Sequence, residues 1–243
     1  MNAFLLGMKK GIPVALGYFA VSFSFGVMAA KGITPLMATI ISATNLTSSG
    51  QYAGVQLMFQ NASYVEIALT VFLINLRYAL MSISLSQRID PNMHLGTKLL
   101  IGFGITDEVY ALSITSPHKL TAKYMLGLIS LPFLGWVSGT AVGAFGAQFF
   151  NQDLLNSMGI ALYAMFIAII IPDARKSKPI LIVILIATII SCMFYYIPFI
   201  KELGLGFKII ISTVIASLIG AIFFPIENEK SPEIKESSGD ENV

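Results

Sequence analysis

The sequence predicts an all-α, polytopic helical membrane protein, and two observations carry this prediction. Hydrophobic residues make up 56% of the 243-residue chain and charged residues only 12%, whereas about 25% of the residues in a soluble domain are charged. About eight apolar stretches follow one another, most of them long enough to cross a hydrocarbon core of ~30 Å. The single cysteine, Cys192, excludes an intramolecular disulfide and a cysteine-based metal cluster.

The first three apolar stretches are long and have recognisable helix starts. The first covers residues 11–30, with Pro13 near its start, where a missing N–H costs little. The second covers residues 34–59 and begins with a threonine, expected to be the cap, followed by a proline. The third covers residues 65–86. Each is long enough to span a bilayer as a helix.

The second stretch has a polar middle, which is unusual for a spanning helix. Eight small or polar residues fall within ten positions: Ser42, Thr44, Asn45, Thr47, Ser48, Ser49, Gly50 and Gln51. Unsatisfied polar groups in hydrocarbon cost several kcal/mol, so such backbone occurs where it is buried in protein or lines a wet cavity. We interpret the block as the floor of a substrate pathway. The alternative is a helix-packing face, because small residues let helices approach closely.

The remaining stretches cover residues 99–115, 122–150, 154–171, 180–197 and 209–224. In the fifth stretch, Gly135, Gly139, Gly143 and Ala147 recur every four residues, which predicts a close helix contact. After Pro225 the chain becomes acidic and lacks aromatic residues. We therefore predict a transmembrane domain over residues 1–225 and a disordered, acidic cytoplasmic tail over residues 226–243.

The distribution of Lys and Arg favours an even number of crossings, six to eight, with both termini cytoplasmic. With eight crossings, nine basic residues lie inside and five outside; with the second and sixth stretches re-entrant, the count is the same. Residues 24–56 and 139–171 share an order of features, which suggests an internal repeat. Transporters often carry such repeats, with the binding site at their interface.

Three charged residues fall inside apolar stretches: Arg77, Asp107 and Glu108. Each costs about 2.5 to 3.5 kcal/mol at the centre of a spanning helix, so they should face inward and find partners. One hypothesis is that an acid titrates during a transport cycle, with Arg77 as its counter-ion or as the ligand of a substrate carboxylate. The alternatives are a buried pair that only fixes the fold, and acids that sit at an interface.

The polar block also suggests a helix break at Ser48-Ser49-Gly50. The second half-helix would then expose N–H groups at its N-terminus, able to hold the carboxylate of a small zwitterion, with Gln51 at its mouth. No metalloprotease, phosphate-loop or hydrolase motif occurs in the sequence. We therefore expect no enzyme activity and no cofactor, and energy for transport from an ion or substrate gradient.

Four motifs occur in order between residues 11 and 172: 17–26 (GYFAVSFSFG), 48–52 (SSGQY), 75–78 (NLRY) and 106–110 (TDEVY). Together they resemble the AzlC family of branched-chain amino acid transporters. The resemblance implies an inner-membrane exporter of valine, leucine and isoleucine, in some members also methionine. It also implies a small hydrophobic partner subunit of the AzlD type.

The sequence reading is thus a secondary transporter that exports small hydrophobic amino acids and is coupled to the proton gradient. The expected substrate-binding residues are Ser48, Ser49, Gly50, Gln51, Asn75 and Arg77, and the expected proton-coupling residues are Asp107 and Glu108. The alternatives are a channel or passive facilitator for a small solute, and a non-transporting scaffold of a membrane complex.

Overall fold

The computed structural model describes residues 2–149, 151, 153, 167, 170–172, 174–197 and 203–225. Their helices are α1 (Ala3–Ala29), α2 (Pro35–Thr44), α3 (Ser48–Phe59), α4 (Tyr64–Ser86), α5 (Leu95–Phe103), α6 (Asp107–Ile114), α7 (Ala122–Gly146), a 3-10 turn (Ala147–Phe149), α8 (Lys178–Tyr196) and α9 (Leu205–Phe223). Five of these, α1, α4, α7, α8 and α9, are long and apolar enough to cross a membrane. The predicted all-α membrane class is confirmed.

The predicted bounds hold best where one apolar stretch is one helix. Helix α4 begins one residue before the predicted third stretch and ends with it. Helix α1 instead begins at Ala3, because the side chain of Asn2 caps it by accepting a hydrogen bond of 3.2 Å from the N–H of Phe4. The sixth stretch, apart from isolated positions, and the tail 226–243 lie outside the described residues.

The second and fourth stretches are each split into two short helices. Between α2 and α3 the backbone is extended at Asn45 (φ −139°, ψ 89°) and Thr47 (φ −129°, ψ 88°). The Thr47 hydroxyl donates to the side-chain oxygen of Asn45, and such local bonds compete with the helix. The predicted break at residues 48–50 is therefore wrong by three residues, since these residues form the first turn of α3.

The α2–α3 pair is a hairpin that enters and leaves at the C-terminal end of α1. Near the turn of the hairpin, the Tyr52 hydroxyl donates to the Val21 carbonyl at 3.2 Å. Farther along α3, the Phe59 ring lies against Gly32, just beyond the end of α1. Asn61 then adopts a left-handed conformation (φ 54°), and the N–H of Ala62 bonds the carbonyl of Leu57 at 3.0 Å. This Schellman motif reverses the chain into α4.

The α5–α6 pair is a hairpin that enters from the opposite end of the fold. Its outer end lies beside the C-terminus of α4, where the Arg88 guanidinium donates to the Ile114 carbonyl at 2.6 Å. One apolar cluster at this end contains Leu85, Ile101, Val109 and Leu128, together with the start of α1. The chain therefore leaves the hairpin near the N-terminus of α7.

The two hairpins define a repeat different from the predicted one. Each unit is a long helix followed by a hairpin, α1 with α2–α3 and then α4 with α5–α6, and the two units run in opposite directions. The predicted internal repeat paired residues 24–56 with residues 139–171, and the second of these ranges extends beyond the described residues. The observed relation is of the inverted kind common in transporters.

Helices α1 and α7 form a parallel pair in close contact. Gly135, Gly139 and Gly143 of α7 lie directly against the backbone of α1, at Ala15, Phe19 and Phe23 respectively. The predicted small-residue ridge is therefore confirmed at these three glycines as a packing surface, whereas Ala147 begins the 3-10 turn that follows α7.

Helix α9 packs against α8 and against the beginning of α4. The carboxylate of Glu66, which is buried, accepts a hydrogen bond of 2.9 Å from the N–H of Gly206 in the first turn of α9. A carboxylate at a helix N-terminus is favourably placed against the helix dipole. This bond fixes α9 to the end of α4 at which the α2–α3 hairpin enters.

Candidate functional site

The tips of the two hairpins meet at Arg77, near the middle of α4. Its Nη1 lies 2.9 Å from Oδ2 of Asp107, the first residue of α6. Its Nη2 donates to the hydroxyl of Ser49, in the first turn of α3, at 3.1 Å. One guanidinium group therefore holds the N-terminal ends of both α3 and α6.

Tyr78 completes the immediate surroundings of the guanidinium. Nη2 of Arg77 donates to the Tyr78 hydroxyl at 3.1 Å, and the guanidinium carbon lies 4.9 Å from the centre of the ring. Nε of Arg77 is buried and has no hydrogen-bond partner in the described part of the chain. The side chains of Arg77 and Asp107 are 37% and 35% exposed, so the described residues leave one side of the ion pair uncovered.

The two adjacent acids face different helices. Asp107 turns toward α4, whereas Glu108 accepts a hydrogen bond from the hydroxyl of Tyr18 in the middle of α1. The Tyr18 ring packs edge-on against Trp136 of α7, with ring centroids 5.6 Å apart. The acid pair therefore couples the α5–α6 hairpin both to α4 and to the α1–α7 pair.

A small cavity lies between these groups. It is lined by Tyr18, Leu46, Ser48, Tyr78, Thr106, Asp107, Glu108 and Trp136, and its volume is about 10 Å³, roughly the space that one water molecule needs. An amino acid cannot enter a cavity of this size. Binding between these groups would require the hairpins to separate, so with respect to this cavity the conformation is closed.

The N-termini of α3 and α6 differ in their caps. In α6 the Thr106 hydroxyl accepts from the N–H of Val109 at 3.3 Å. In α3 the side chain of Thr47, the residue before the helix, makes no capping bond. The first-turn N–H groups of α3 have no intrahelical partner, and a helix N-terminus attracts anions. The uncapped start of α3 beside Arg77 is suited to a carboxylate.

Asn75, two residues before Arg77 in α4, holds the first turn of α3. Its Nδ2 donates to the Thr47 hydroxyl at 3.4 Å. A side chain at Gly50 would collide with the Asn75 amide, so glycine is required for this approach. Oδ1 of Asn75 is buried without a partner among the described residues.

Gln51 belongs to a separate buried network. Its Nε2 donates to the Ser42 hydroxyl, and its Oε1 accepts from Nε1 of Trp136 at 3.1 Å. The hydroxyls of Ser42 and Thr140 are 2.7 Å apart. With Gln51 only 2% exposed and both ends of its amide bonded, it fastens the α2–α3 hairpin to α7 and does not face the ion pair.

The structure thus brings together Ser48, Ser49, Arg77, Asp107 and Glu108, with Asn75 and Gly50 in direct support. The sequence analysis did not select Tyr18, Tyr78 or Trp136 as site residues. Aromatic residues are common in apolar helices, so only their convergence on the charged cluster distinguishes these three.

This fold and site define a multi-pass membrane protein in which two opposed hairpins enclose a charged cluster. The chain belongs to the AzlC family: the family model described as AzlC protein matches residues 13–150, more than half of the chain. That range contains both hairpins and all the site residues. The protein is thereby placed in the inner membrane as a multi-pass protein of a family with a transport-related role.

Relatives cover most of the same region. Inner membrane protein YgaZ of Escherichia coli is 26% identical over 183 residues, which cover 72% of this chain and 75% of the relative. An uncharacterized membrane protein of Archaeoglobus fulgidus is 27% identical, covering 71% and 76%. One from Helicobacter pylori strain J99 is 24% identical, covering 73% and 80%. No solved structure gives a significant match.

Proposed function

We propose that the protein is a secondary transporter that exports branched-chain amino acids, coupled to the proton gradient. The observation that supports this proposal best is the meeting of the uncapped α3 N-terminus, Arg77 and two acids inside a mostly apolar membrane fold. These groups offer positive and negative partners within one small region, as a zwitterion requires. The substrates are valine, leucine and isoleucine, and methionine as a further candidate.

The carboxylate of the substrate is expected at the first turn of α3. The N–H groups there are uncapped, and Arg77 lies beside them through its bond to Ser49. Arg77 is already paired with Asp107 in the closed conformation. A bound carboxylate would compete for the guanidinium and loosen this pair, so that binding is linked to the position of the α5–α6 hairpin.

Asp107 and Glu108 are the proposed proton-coupling groups. Protonation of Asp107 would neutralise its charge and release Arg77 for the substrate. Glu108 is tied to Tyr18 of α1, so a change in its protonation would alter the contact between the hairpin and the α1–α7 pair. Export driven by a pH gradient that is unchanged in both Asp107→Asn and Glu108→Gln would rule out this role.

A small hydrophobic membrane subunit of the AzlD type is the proposed partner. The uncovered side of the Arg77–Asp107 pair supports this proposal, since charges that face lipid are costly at membrane depth. The transporter is therefore best tested together with that subunit.

The test is counterflow of labelled isoleucine into proteoliposomes loaded with unlabelled isoleucine. Transient accumulation that leucine or valine suppresses, and that Arg77→Ala abolishes, is the expected result. Asp107→Asn removes the charge as protonation does, so it should keep counterflow but lose export driven by a pH gradient. Gly102→Ala is the matched control, because a methyl group added at Gly102 meets nothing within 4 Å. A channel would give no accumulation. A scaffold would give no flux in any variant, with Arg77→Ala changing only recovery of the complex.

A further inference from the structure

A second cavity lies beside the closed one, between the α2–α3 hairpin and the first half of α4. Its volume is about 330 Å³, within the usual range of small-molecule sites. Most of its wall is apolar, formed by side chains such as Ile41, Met58, Ile67 and Val71. We refer to this cavity as the hairpin cleft. Its size and lining suit an aliphatic group.

The inner end of the hairpin cleft is polar and adjoins the candidate site. Asn45 and Gly50 line this end, and Gly50 lies in the first turn of α3, two residues from Ser48. The amide of Asn75 packs on Gly50, and its Oδ1 is buried without a partner in the described part of the chain. Buried carbonyl groups normally accept a hydrogen bond, so Oδ1 of Asn75 has an unused acceptor position that a ligand could fill.

We propose that the hairpin cleft is the side-chain subsite of the carrier. The aliphatic side chain of the amino acid occupies the cleft, its ammonium group donates to Oδ1 of Asn75, and its carboxylate lies at the first turn of α3. This inference rests on the proposed transport function and adds to it the residues that select the side chain. Ile67, Val71 and Gly54 then determine which aliphatic side chain is accepted.

Gly54 sets the width of the cleft. A methyl group added there would lie 3.3 Å from Cγ2 of Val71, so Gly54→Ala narrows the space between α3 and α4. An apolar pocket discriminates about 10- to 200-fold for one methylene group. We expect Gly54→Ala to raise the KM for isoleucine about 10-fold relative to that for valine. The control Gly102→Ala should leave this ratio unchanged.

Binding in the cleft is also measurable without transport. In a Cys192→Ser background, Ile67→Cys places a thiol in the cleft, and Leu69→Cys places one on the exposed face of the same helix, where Leu69 is 45% exposed. The probe is N-ethylmaleimide, with and without saturating leucine. Leucine should slow labelling at position 67 several-fold and leave labelling at position 69 unchanged.

The outcomes separate this inference from the proposed function. Slower labelling at position 67 together with the shift in the KM ratio supports the subsite. Unchanged labelling in protein that performs counterflow overturns the subsite and leaves the carrier function standing. Protection by leucine without any counterflow supports binding in the cleft and overturns the carrier function. Absence of both counterflow and protection, in folded Ile67→Cys protein, overturns both.

Discussion

Arg77 joins three structural elements through a single planar group, so a lysine should not replace it. Lysine offers one point charge and cannot reproduce the separate bonds to Asp107 and Ser49. We expect Arg77→Lys to fold but to lower isoleucine counterflow at least about 10-fold, as expected when about 1.4 kcal/mol of a charge-assisted interaction is lost. Counterflow and the thermal unfolding temperature, measured on one preparation, check both parts.

A double substitution separates a functional ion pair from one that only stabilises the fold. Replacing both partners of an ion pair inside a fold by apolar residues is often neutral for stability, whereas removing one partner leaves an unpaired charge. The partial exposure of Arg77 and Asp107 makes this cost smaller than for a fully buried pair. Arg77→Met with Asp107→Leu should therefore unfold at a higher temperature than either single variant and still not transport. Transport restored in the double variant would mean that the pair is structural.

Substituting Gln51 is expected to lower stability and not to remove a substrate contact, because the Gln51 amide is bonded at both ends. Gln51→Leu would leave Nε1 of Trp136 without its acceptor, which costs about 1–3 kcal/mol for a buried polar group. We expect a clearly lower thermal unfolding temperature. Gln56→Leu, on the same helix and half-buried, is the control and should change it little. A stable Gln51→Leu protein without transport would return Gln51 to the binding site.

At the residue scale, the sequence identifies charged residues better than polar ones. A charge in an apolar stretch needs a partner, and Arg77, Asp107 and Glu108 do converge. Gln51 is equally conspicuous in the sequence, yet it bonds Ser42 and Trp136. An amide can be satisfied by any nearby donor and acceptor, so polarity alone does not show which way it faces. The sequence alone does not indicate a role for Trp136; its contacts with Gln51 and Tyr18 in the structure do.

The α1–α7 pair illustrates what glycine does at the scale of whole helices. A methyl group at Gly143 would collide with the backbone of Phe23, which has no room to move. Gly17 of α1 has open space around it, and alanine favours a helix by about 1 kcal/mol over glycine. Gly143→Ala should thus lower the thermal unfolding temperature, whereas Gly17→Ala should keep or raise it. Equal effects would contradict the close contact.

Hydropathy predicts the long helices but not the path of the hairpins. The stretch 34–59 has the length of a spanning helix, and its composition is the same whether it crosses or turns back. The extended backbone at Asn45 and Thr47 is accompanied by the local bond between these two side chains and by the tertiary bond between Ser42 and Thr140. Helix α4 is continuous, and its predicted and observed bounds agree within one residue.

At the scale of the whole molecule, the hairpins explain the distribution of charge better than eight crossings do. Outside the site, residues 2–149 contain seven basic residues. Six lie toward the end of the fold where α1 begins, and only Lys31 lies toward the other; the six are Lys9, Lys10, Arg88, Lys98, Lys119 and Lys123. Eight crossings would divide the same residues four to three. The positive-inside rule thus favours two re-entrant hairpins, and from it we expect the start of α1 to lie on the cytoplasmic side.

This topology is testable by labelling single cysteines with a membrane-impermeant maleimide in a Cys192→Ser background. If both hairpins turn back, Asn61→Cys reacts from outside the cell, and Asn92→Cys reacts only after the membrane is opened. If every stretch crosses, these two results are exchanged. His118→Cys lies inside in both arrangements and serves as the control. External labelling at position 92 would contradict the opposed hairpins, because their tips could then not meet at Arg77 from opposite sides.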